Sequence, residues 1–163
     1  MQSAINFLYI VGSSPSVPKI LNRMGKRYIF SPVPKGLPRY RTVGECHRNS
    51  QCAVLDDDRL TYVEGAALSS LGVWMGHAWV TMDGVHAIDL TWRGQQVSAF
   101  RPGARDGERI GARSYKPDDT ITMHPAVEYI GVEIPTKDIA KLMCANQAHG
   151  FFLDQWAAQR EAA

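Results

Sequence analysis

The chain has 163 residues and a formal net charge of +2, with 45% hydrophobic and 21% charged residues. This length suits one folded domain with its own core, so we expect residues 1–163 to form a single domain. The near-neutral charge does not favour nucleic acid as a partner, and the ordinary composition excludes a low-complexity chain.

The three cysteines are an odd number without paired spacing. This pattern argues against a disulfide framework and for a reducing compartment. The apolar run near the N-terminus lacks a basic start and is too short for a membrane span. We therefore expect a cytoplasmic protein without a membrane partner, while the sequence leaves the oligomeric state open.

A short helix is predicted between Ser16 and Gly25. Ser16 is a suitable N-cap, Pro18 fits the first turn, and Gly25 follows the last turn. A stretch rich in proline and glycine, residues 32–38, then leads in extended form toward the next helix.

The second predicted helix carries a cysteine in its first turn. From Glu45 to Leu55 the apolar residues recur at helical spacing, and the run of aspartates at 56–58 ends the pattern. Cys46 lies where unpaired backbone N–H groups and the helix dipole favour an anion, which lowers a thiol pKa. Asn49 is one turn further on the same side and is expected to face the same cleft.

A strand is predicted after this helix, from Arg59 to Glu64, with Gly65 ending or kinking it. Alternation places Glu64 on one face with Leu60 and Tyr62. Glu64 therefore either lines the cleft or is a solvated carboxylate at the end of a strand.

The dipeptide Asp83-Gly84 is a hairpin signal between two strand patterns that carry His77 and Asp89. A two-residue turn would put Asp89 on the face opposite His77. A three-residue loop, 82–84, with Gly84 left-handed, would pair His77 directly with Asp89 on one face.

The composition of the other face favours the three-residue loop. On that register His86 points away from Asp89, and the face turned away from His77 becomes an apolar core surface. That surface contains Ala78, Val80, Ile88, Leu90 and Trp92.

Three segments in order, Gly-Glu-Cys46, His77-Ala-Trp79 and Ile88-Asp89-Leu-Thr91, resemble the transglutaminase-like branch of the papain-like cysteine superfamily. The chain is similar to a small bacterial or phage-type member over residues 44–92. The resemblance implies an α+β fold in which a Cys-bearing helix packs on an antiparallel β-sheet. It also implies a substrate-side role for Trp79, and a residue upstream of the cysteine that holds the oxyanion, for which Tyr40 is the nearest donor.

A thiol, an imidazole and a carboxylate in this order are the parts of a nucleophilic cysteine site. We expect Cys46, His77 and Asp89 to act on an amide or acyl carbonyl through an acyl-enzyme. The activity would be that of a peptidase, amidase, deamidase or acyl transferase, on a peptide, a protein or a small amide or acyl substrate. The alternative is a non-catalytic binding domain that retains the scaffold.

No cofactor and no metal are predicted, because Cys46, Cys52, His77 and Asp89 match no common zinc spacing. His47 is adjacent to Cys46 and is expected to point elsewhere on the helix. Cys52 and Cys144 lie in apolar helical patterns and are expected to be core residues.

The C-terminal half begins with residues 93–119, where periodicity is lost. This stretch is either a solvated loop or a basic flap that recruits an acidic or phosphorylated partner. Beyond it, residues 129–134 read as a strand, and a helix is predicted from Thr136 through Met143. Residues 151–156 then suggest a last amphipathic turn.

Overall fold

The protein is described from a computed structural model, which covers residues 10–37, 40, 42, 44–92 and 125–162, and the backbone of 95–98, 109–110, 113–114 and 120–123. The helices within these residues are α1 (Val17–Met24), α2 (Cys46–Asp56), α3 (Thr136–Asn146) and α4 (Leu153–Glu161). The strands are β1 (Lys26–Ser31), β2 (Thr61–Leu68), β3 (Trp74–Thr81), β4 (His86–Ile88), β5 (Gln95–Ser98), β6 (Arg109–Ile110), β7 (Arg113–Ser114), β8 (Thr120–Met123) and β9 (Glu128–Ile134).

Strands β1, β4, β3, β2 and β9 pair in that order, and β9 pairs back to β1, so the sheet closes into a barrel. The β1–β4 pairing is parallel and the other pairings are antiparallel. The predicted α+β class is confirmed, whereas the sheet is mixed rather than antiparallel. Two short two-stranded pairs, β5–β8 and β6–β7, lie outside the barrel.

The two faces of the barrel strands have different partners. One face carries residues such as Tyr62, Ala66 and Val80 and packs in one apolar cluster with side chains from all four helices. The other face forms a separate cluster, built around Trp79 and Tyr129, that contains no helix residue. Because neighbours along a strand point to opposite faces, this second cluster fills the inside of the barrel.

Several predicted elements agree with the structure. Helix α1 lies between Ser16 and Gly25 as predicted, and α2 starts at Cys46 and ends at the first of the three aspartates. Of the two alternatives predicted for Gly65, that it ends the strand is wrong, because β2 continues to Leu68. Gly65 is required there by close packing, since an added Cβ would lie 2.1 Å from the carbonyl oxygen of Ile130 on β9.

The hairpin between β3 and β4 differs from the predicted three-residue loop. Val80 pairs with Ile88, and residues 82–85 connect the end of β3 to the start of β4. The Asp83 carboxylate stabilises this longer loop by accepting from the backbone N–H groups of residues 85 and 86 and from the His86 ring. Gly84 is left-handed as predicted, with φ 71°. The shift is two residues, an even number, and therefore keeps His77 and Asp89 on one face.

The prediction that Cys52 and Cys144 are core residues is wrong. Cys52 is only half-buried, and Cys144 is exposed because α3 turns Ile139 and Leu142 inward instead. The predicted flap or loop at 93–119 lies largely outside the described residues, apart from three short backbone strands. Among the helices that are described, none has the length and apolar character needed to cross a membrane.

Candidate active site

Cys46 is the first residue of α2, which packs against β3. Cys46 is almost completely buried, with 9% of the residue exposed. The first backbone N–H groups of a helix have no partner within the helix and carry its positive dipole end. The sulfur of Cys46 is therefore placed where a negative charge is favoured.

His77 and Asp89 form a buried pair on the inner face of the barrel. The distance from His77 Nε2 to Asp89 Oδ2 is 2.7 Å, and the two residues are 1% and 0% exposed. Asp89 Oδ2 also accepts from the Tyr129 hydroxyl at 2.9 Å. Its other oxygen, Oδ1, accepts from the backbone N–H groups of Thr91 and Trp92, both at 2.8 Å. These donors fix the carboxylate and, through it, the orientation of the imidazole.

The Cys46 thiol and the His77 imidazole interact by charge and by a hydrogen bond. Burial alone raises the pKa of Cys46, but the His77 charge and hydrogen bonds to His47 and His77 lower that pKa to about 5. Burial alone lowers the pKa of His77, whereas the charges of Asp89 and Cys46 raise that pKa to about 10. At neutral pH the pair is therefore a thiolate and an imidazolium.

His47 is the partner that sequence reasoning rejected. Its Nδ1 lies 3.3 Å from Cys46 Sγ, so the expectation that it points elsewhere is wrong. The ring is held there by the Phe151 ring, whose centroid is 3.9 Å away. Phe151 belongs to the loop between α3 and α4, so no local pattern around Cys46 could have indicated this contact.

Asn49 is 2% exposed and does not face an open cleft, contrary to expectation. Its Nδ2 donates to Thr91 Oγ1 at 3.0 Å and to the Thr42 carbonyl at 2.9 Å, while its Oδ1 accepts from the Thr42 N–H at 3.1 Å. Through these hydrogen bonds Asn49 holds Thr42, which precedes α2, and Thr91, which follows Asp89, against the same helix.

Tyr40 does not reach the site. Its hydroxyl donates to the Asp56 carboxylate at the opposite end of α2 from Cys46. An α-helix rises about 1.5 Å per residue, which separates the two ends by roughly 15 Å. The prediction of Tyr40 as an oxyanion donor is therefore wrong.

Glu64 is fully buried but lies on the outer face of the barrel, because its neighbour Gly65 is the residue that pairs with His77. The sequence allowed two positions for Glu64, one in the cleft beside His77 and one in solvent, and the structure shows neither. The carboxylate instead accepts from the Tyr62 hydroxyl and from the backbone N–H groups of Phe152 and Leu153 at the start of α4.

Trp79 is 0% exposed and fills the inside of the barrel, where its ring packs edge-on against Tyr28 and Tyr129. A direct contact with substrate, as the resemblance implied, does not fit this position. The aromatic residue that covers the imidazole is Trp92, stacked on His77 with ring centroids 4.3 Å apart. Trp92 was expected on the apolar core face, but the turn around Asp89 Oδ1 breaks the strand alternation after Ile88.

Tyr129 is a further site residue that the sequence did not indicate. It lies on β9, 40 positions from the carboxylate that its hydroxyl contacts. An alternating strand indicates which residues are buried, but not which polar atom each will meet across a barrel.

Comparison of the chain with protein-family models, with curated proteins and with solved structures found no match. Within the described part of the chain, no group of three or more His, Cys, Asp or Glu side chains is arranged to hold a metal ion. The site brings together a thiol whose pKa is lowered, an imidazole whose pKa is raised, and a carboxylate that fixes the orientation of the imidazole.

Proposed function

We propose that the protein is a thiol-dependent enzyme, a hydrolase or acyl transferase, that acts on an amide or acyl carbonyl through an acyl-enzyme on Cys46. The observation that carries this proposal is the buried His77–Asp89 pair, with His77 Nε2 2.7 Å from Asp89 Oδ2, together with a thiol at the start of α2 whose pKa is lowered by the His77 charge. We also propose that the fold belongs to the transglutaminase-like branch of the papain-like plan. The order of the Cys helix, the His strand and the Asp segment supports this assignment.

In the acylation step, the Cys46 thiolate attacks the carbonyl carbon and the C=O electron pair moves onto oxygen. The Cys46 backbone N–H, at the start of α2, donates to the oxyanion, a contact of a kind that lowers a barrier by about 3 kcal/mol. His77 then gives its proton to the leaving nitrogen or oxygen as the bond to carbon breaks. The products are a thioester on Cys46, a neutral His77 and the released amine or alcohol.

In the second step, His77 accepts a proton from water or from an acceptor amine, which attacks the thioester carbonyl. The C–S bond breaks, its electron pair returns to sulfur, and the thiolate–imidazolium pair is restored. Asp89 carries no proton in either step. It holds Nε2 of the imidazole and stabilises the positive charge that His77 bears before acylation and after deacylation.

The proposal is tested by the order in which the three thiols react with iodoacetamide at mildly acidic pH. Cys144 is exposed and Cys46 is nearly buried, so access alone predicts that Cys144 reacts first. The lowered pKa of Cys46 predicts the reverse order, because the thiolate is the reactive form.

Peptide mapping after partial alkylation distinguishes these two orders, and Cys46→Ala and Cys144→Ala provide matched controls. We expect label on Cys46 first, and loss of turnover of a small activated ester only in Cys46→Ala. Labelling of Cys144 ahead of Cys46, with no ester turnover, would instead support a binding domain that retains the scaffold.

A further inference from the structure

The proposed mechanism leaves one side chain at the sulfur without a role. His47 Nδ1 lies 3.3 Å from Cys46 Sγ, within reach of a hydrogen bond to sulfur. Its Nε2 is buried and has no hydrogen-bond partner among the described residues. A residue adjacent in sequence to the nucleophile usually diverges from it around the helix, so this contact needs a specific restraint.

The restraint is the ring of Phe151, which packs on the His47 ring at a centroid distance of 3.9 Å and an interplanar angle of 47°. Phe151 also occupies the space beside Gly76, where an added Cβ would lie 2.3 Å from the Phe151 ring. Gly76 precedes His77 on β3. The same phenyl ring therefore fits between the β3 backbone and the His47 imidazole.

Two buried polar residues fix the loop that carries Phe151. Gln51 of α2 donates to the Gly150 carbonyl at 2.7 Å and accepts from the Gly150 N–H at 3.3 Å. Glu64 accepts from the N–H groups of Phe152 at 2.9 Å and Leu153 at 2.7 Å. Both Gln51 and Glu64 are 0% exposed. Buried polar groups with several partners hold a loop in one arrangement, which here is the one that places Phe151 on His47.

We propose that His47 is a second catalytic imidazole, whose Nδ1–H donates a hydrogen bond to the Cys46 sulfur whenever that sulfur carries negative charge. This inference rests on the proposed function and assigns different tasks to the two histidines. His77 moves protons, whereas His47 gives up no proton and stabilises charge on sulfur. Gln51, Glu64 and Phe151 are positioning residues for the His47 ring.

The hydrogen bond from His47 should have its largest effect on the rate of deacylation. When the C–S bond of the thioester breaks, the electron pair moves to sulfur while His77 is engaged with water or amine. A donor already aimed at sulfur stabilises the developing thiolate without rearrangement. In the resting enzyme the same hydrogen bond favours the thiolate over the thiol.

The groups that face the two side chains belong to three elements. Cys46 faces His47 on its own helix and His77 on β3, and Tyr62 on β2 is near enough for its pKa to respond to the Cys46 charge. His47 faces Cys46 and the buried carboxylate of Glu64 on β2. Variants at His47 leave His77, Tyr62 and Glu64 unchanged in sequence, so a difference in Cys46 titration between those variants and the parent chain reports on His47.

The experiment measures the pH dependence of Cys46 alkylation in chains that carry Cys52→Ala and Cys144→Ala. His47→Leu removes the donor and retains an apolar side chain against Phe151. His47→Asn retains a donor near the Nδ1 position. His86→Leu is the matched histidine control, because His86 is exposed and its ring pairs with the Asp83 carboxylate at the surface.

We expect His47→Leu to raise the midpoint of the alkylation profile by about one pH unit or more, since a lost hydrogen bond to the charged form raises a pKa. His47→Asn and His86→Leu are expected to keep the midpoint of the parent chain. The single-turnover deacylation rate after loading with p-nitrophenyl acetate should fall about tenfold in His47→Leu and recover in His47→Asn.

An unchanged midpoint in a folded His47→Leu chain would overturn the proposal, as would a His47→Asn chain that behaves like His47→Leu. If His47→Leu does not fold, Phe151→Leu provides the second test. Loosening the ring contact should raise the midpoint, and an unchanged midpoint there counts against the proposal.

Failure of the proposed function gives a different result. In that case p-nitrophenyl acetate does not acylate Cys46 in the parent chain, while the alkylation midpoint still depends on His47.

Discussion

Asp89→Asn replaces one buried oxygen by an NH₂ group and changes nothing else in shape. The amide oxygen must stay on the Oδ1 side, because two backbone N–H groups at 2.8 Å point at that position. The NH₂ group therefore faces His77 Nε2 and donates to it. The imidazole must then leave Nε2 without a proton, so the imidazolium loses both its counter-charge and its hydrogen-bond acceptor.

The effect on Cys46 follows from the loss of positive charge on His77. The thiol pKa should move from about 5 toward the ordinary value of about 8.5. At pH 5.5 the ionised fraction then falls from roughly three quarters to roughly one in a thousand. A thiolate of higher pKa is intrinsically a better nucleophile, by roughly 40-fold for a pKa change from about 5 to about 8.5. This gain offsets part of the lost ionisation, so the alkylation rate of Cys46 at pH 5.5 falls about 20-fold. At neutral pH the two effects nearly cancel, and a measurement there would show little change.

The assay is therefore the complete alkylation profile with iodoacetamide between about pH 4.5 and 9, in a chain whose other two cysteines are alanine. Asp83→Asn is the matched control, because Asp83 pairs with His86 in the same hairpin but at the surface. We expect a large upward shift of the midpoint for Asp89→Asn and none for Asp83→Asn. A folded Asp89→Asn chain with the midpoint of the parent would refute the reasoning and leave Asp89 as a structural residue.

Three further predictions concern stability. The lowered pKa of Cys46 stabilises the fold fully above the ordinary thiol value of about 8.5, and this contribution is lost as pH falls through about 5. The raised pKa of His77 stabilises the fold fully below about 6.5, and this contribution is lost as pH rises through about 10. The free energy of unfolding in urea should therefore show a plateau between roughly pH 6.5 and 8.5, and Cys46→Ala should remove the decline on the acid side. Gly65→Ala should destabilise by about 3 kcal/mol or more in urea unfolding, because the new methyl group meets the Ile130 carbonyl of β9 and cannot be relieved by a rotamer change. Glu64→Ala should lower the free energy of unfolding by at least about 3 kcal/mol, because the first N–H groups of α4 lose their acceptor. Glu64→Gln should lower it by clearly less, since the amide oxygen still accepts from those groups. Equal losses in the two variants would contradict this role of Glu64.

Local signals in the sequence predicted the elements that carry the site. The aspartate run and the helical spacing predicted Cys46 at the start of a helix, and the apolar composition of the opposite strand face favoured a register with His77 and Asp89 on one face. The register of the hairpin could not be predicted, because the Asp83 side chain accepts hydrogen bonds from its own loop and stabilises a longer connection. An even shift left the face unchanged, which is why the expected His77–Asp89 contact survives a wrong register.

The remaining site contacts depend on tertiary structure. Glu64 and His77 come from neighbouring strands, and only barrel closure decides which face of each strand meets the helices. Tyr129 reaches Asp89 across the barrel, and His47 meets Cys46 because a loop near the C-terminus supplies Phe151. None of these contacts is encoded within one helix turn or one strand pair, so periodicity cannot reveal them.

The proposed mechanism depends on Cys46 as the nucleophile of an acyl-transfer reaction. The most direct measurement is mass spectrometry of the chain after a brief reaction with p-nitrophenyl acetate, followed by digestion and mapping of the acetyl group. The mechanism predicts a burst of nitrophenol close to one equivalent per chain, an acetyl group on the peptide that contains Cys46, and its loss with time as the thioester turns over. Acetylation on Cys144 or on lysines at equal rates in the parent chain and in Cys46→Ala would contradict the claim.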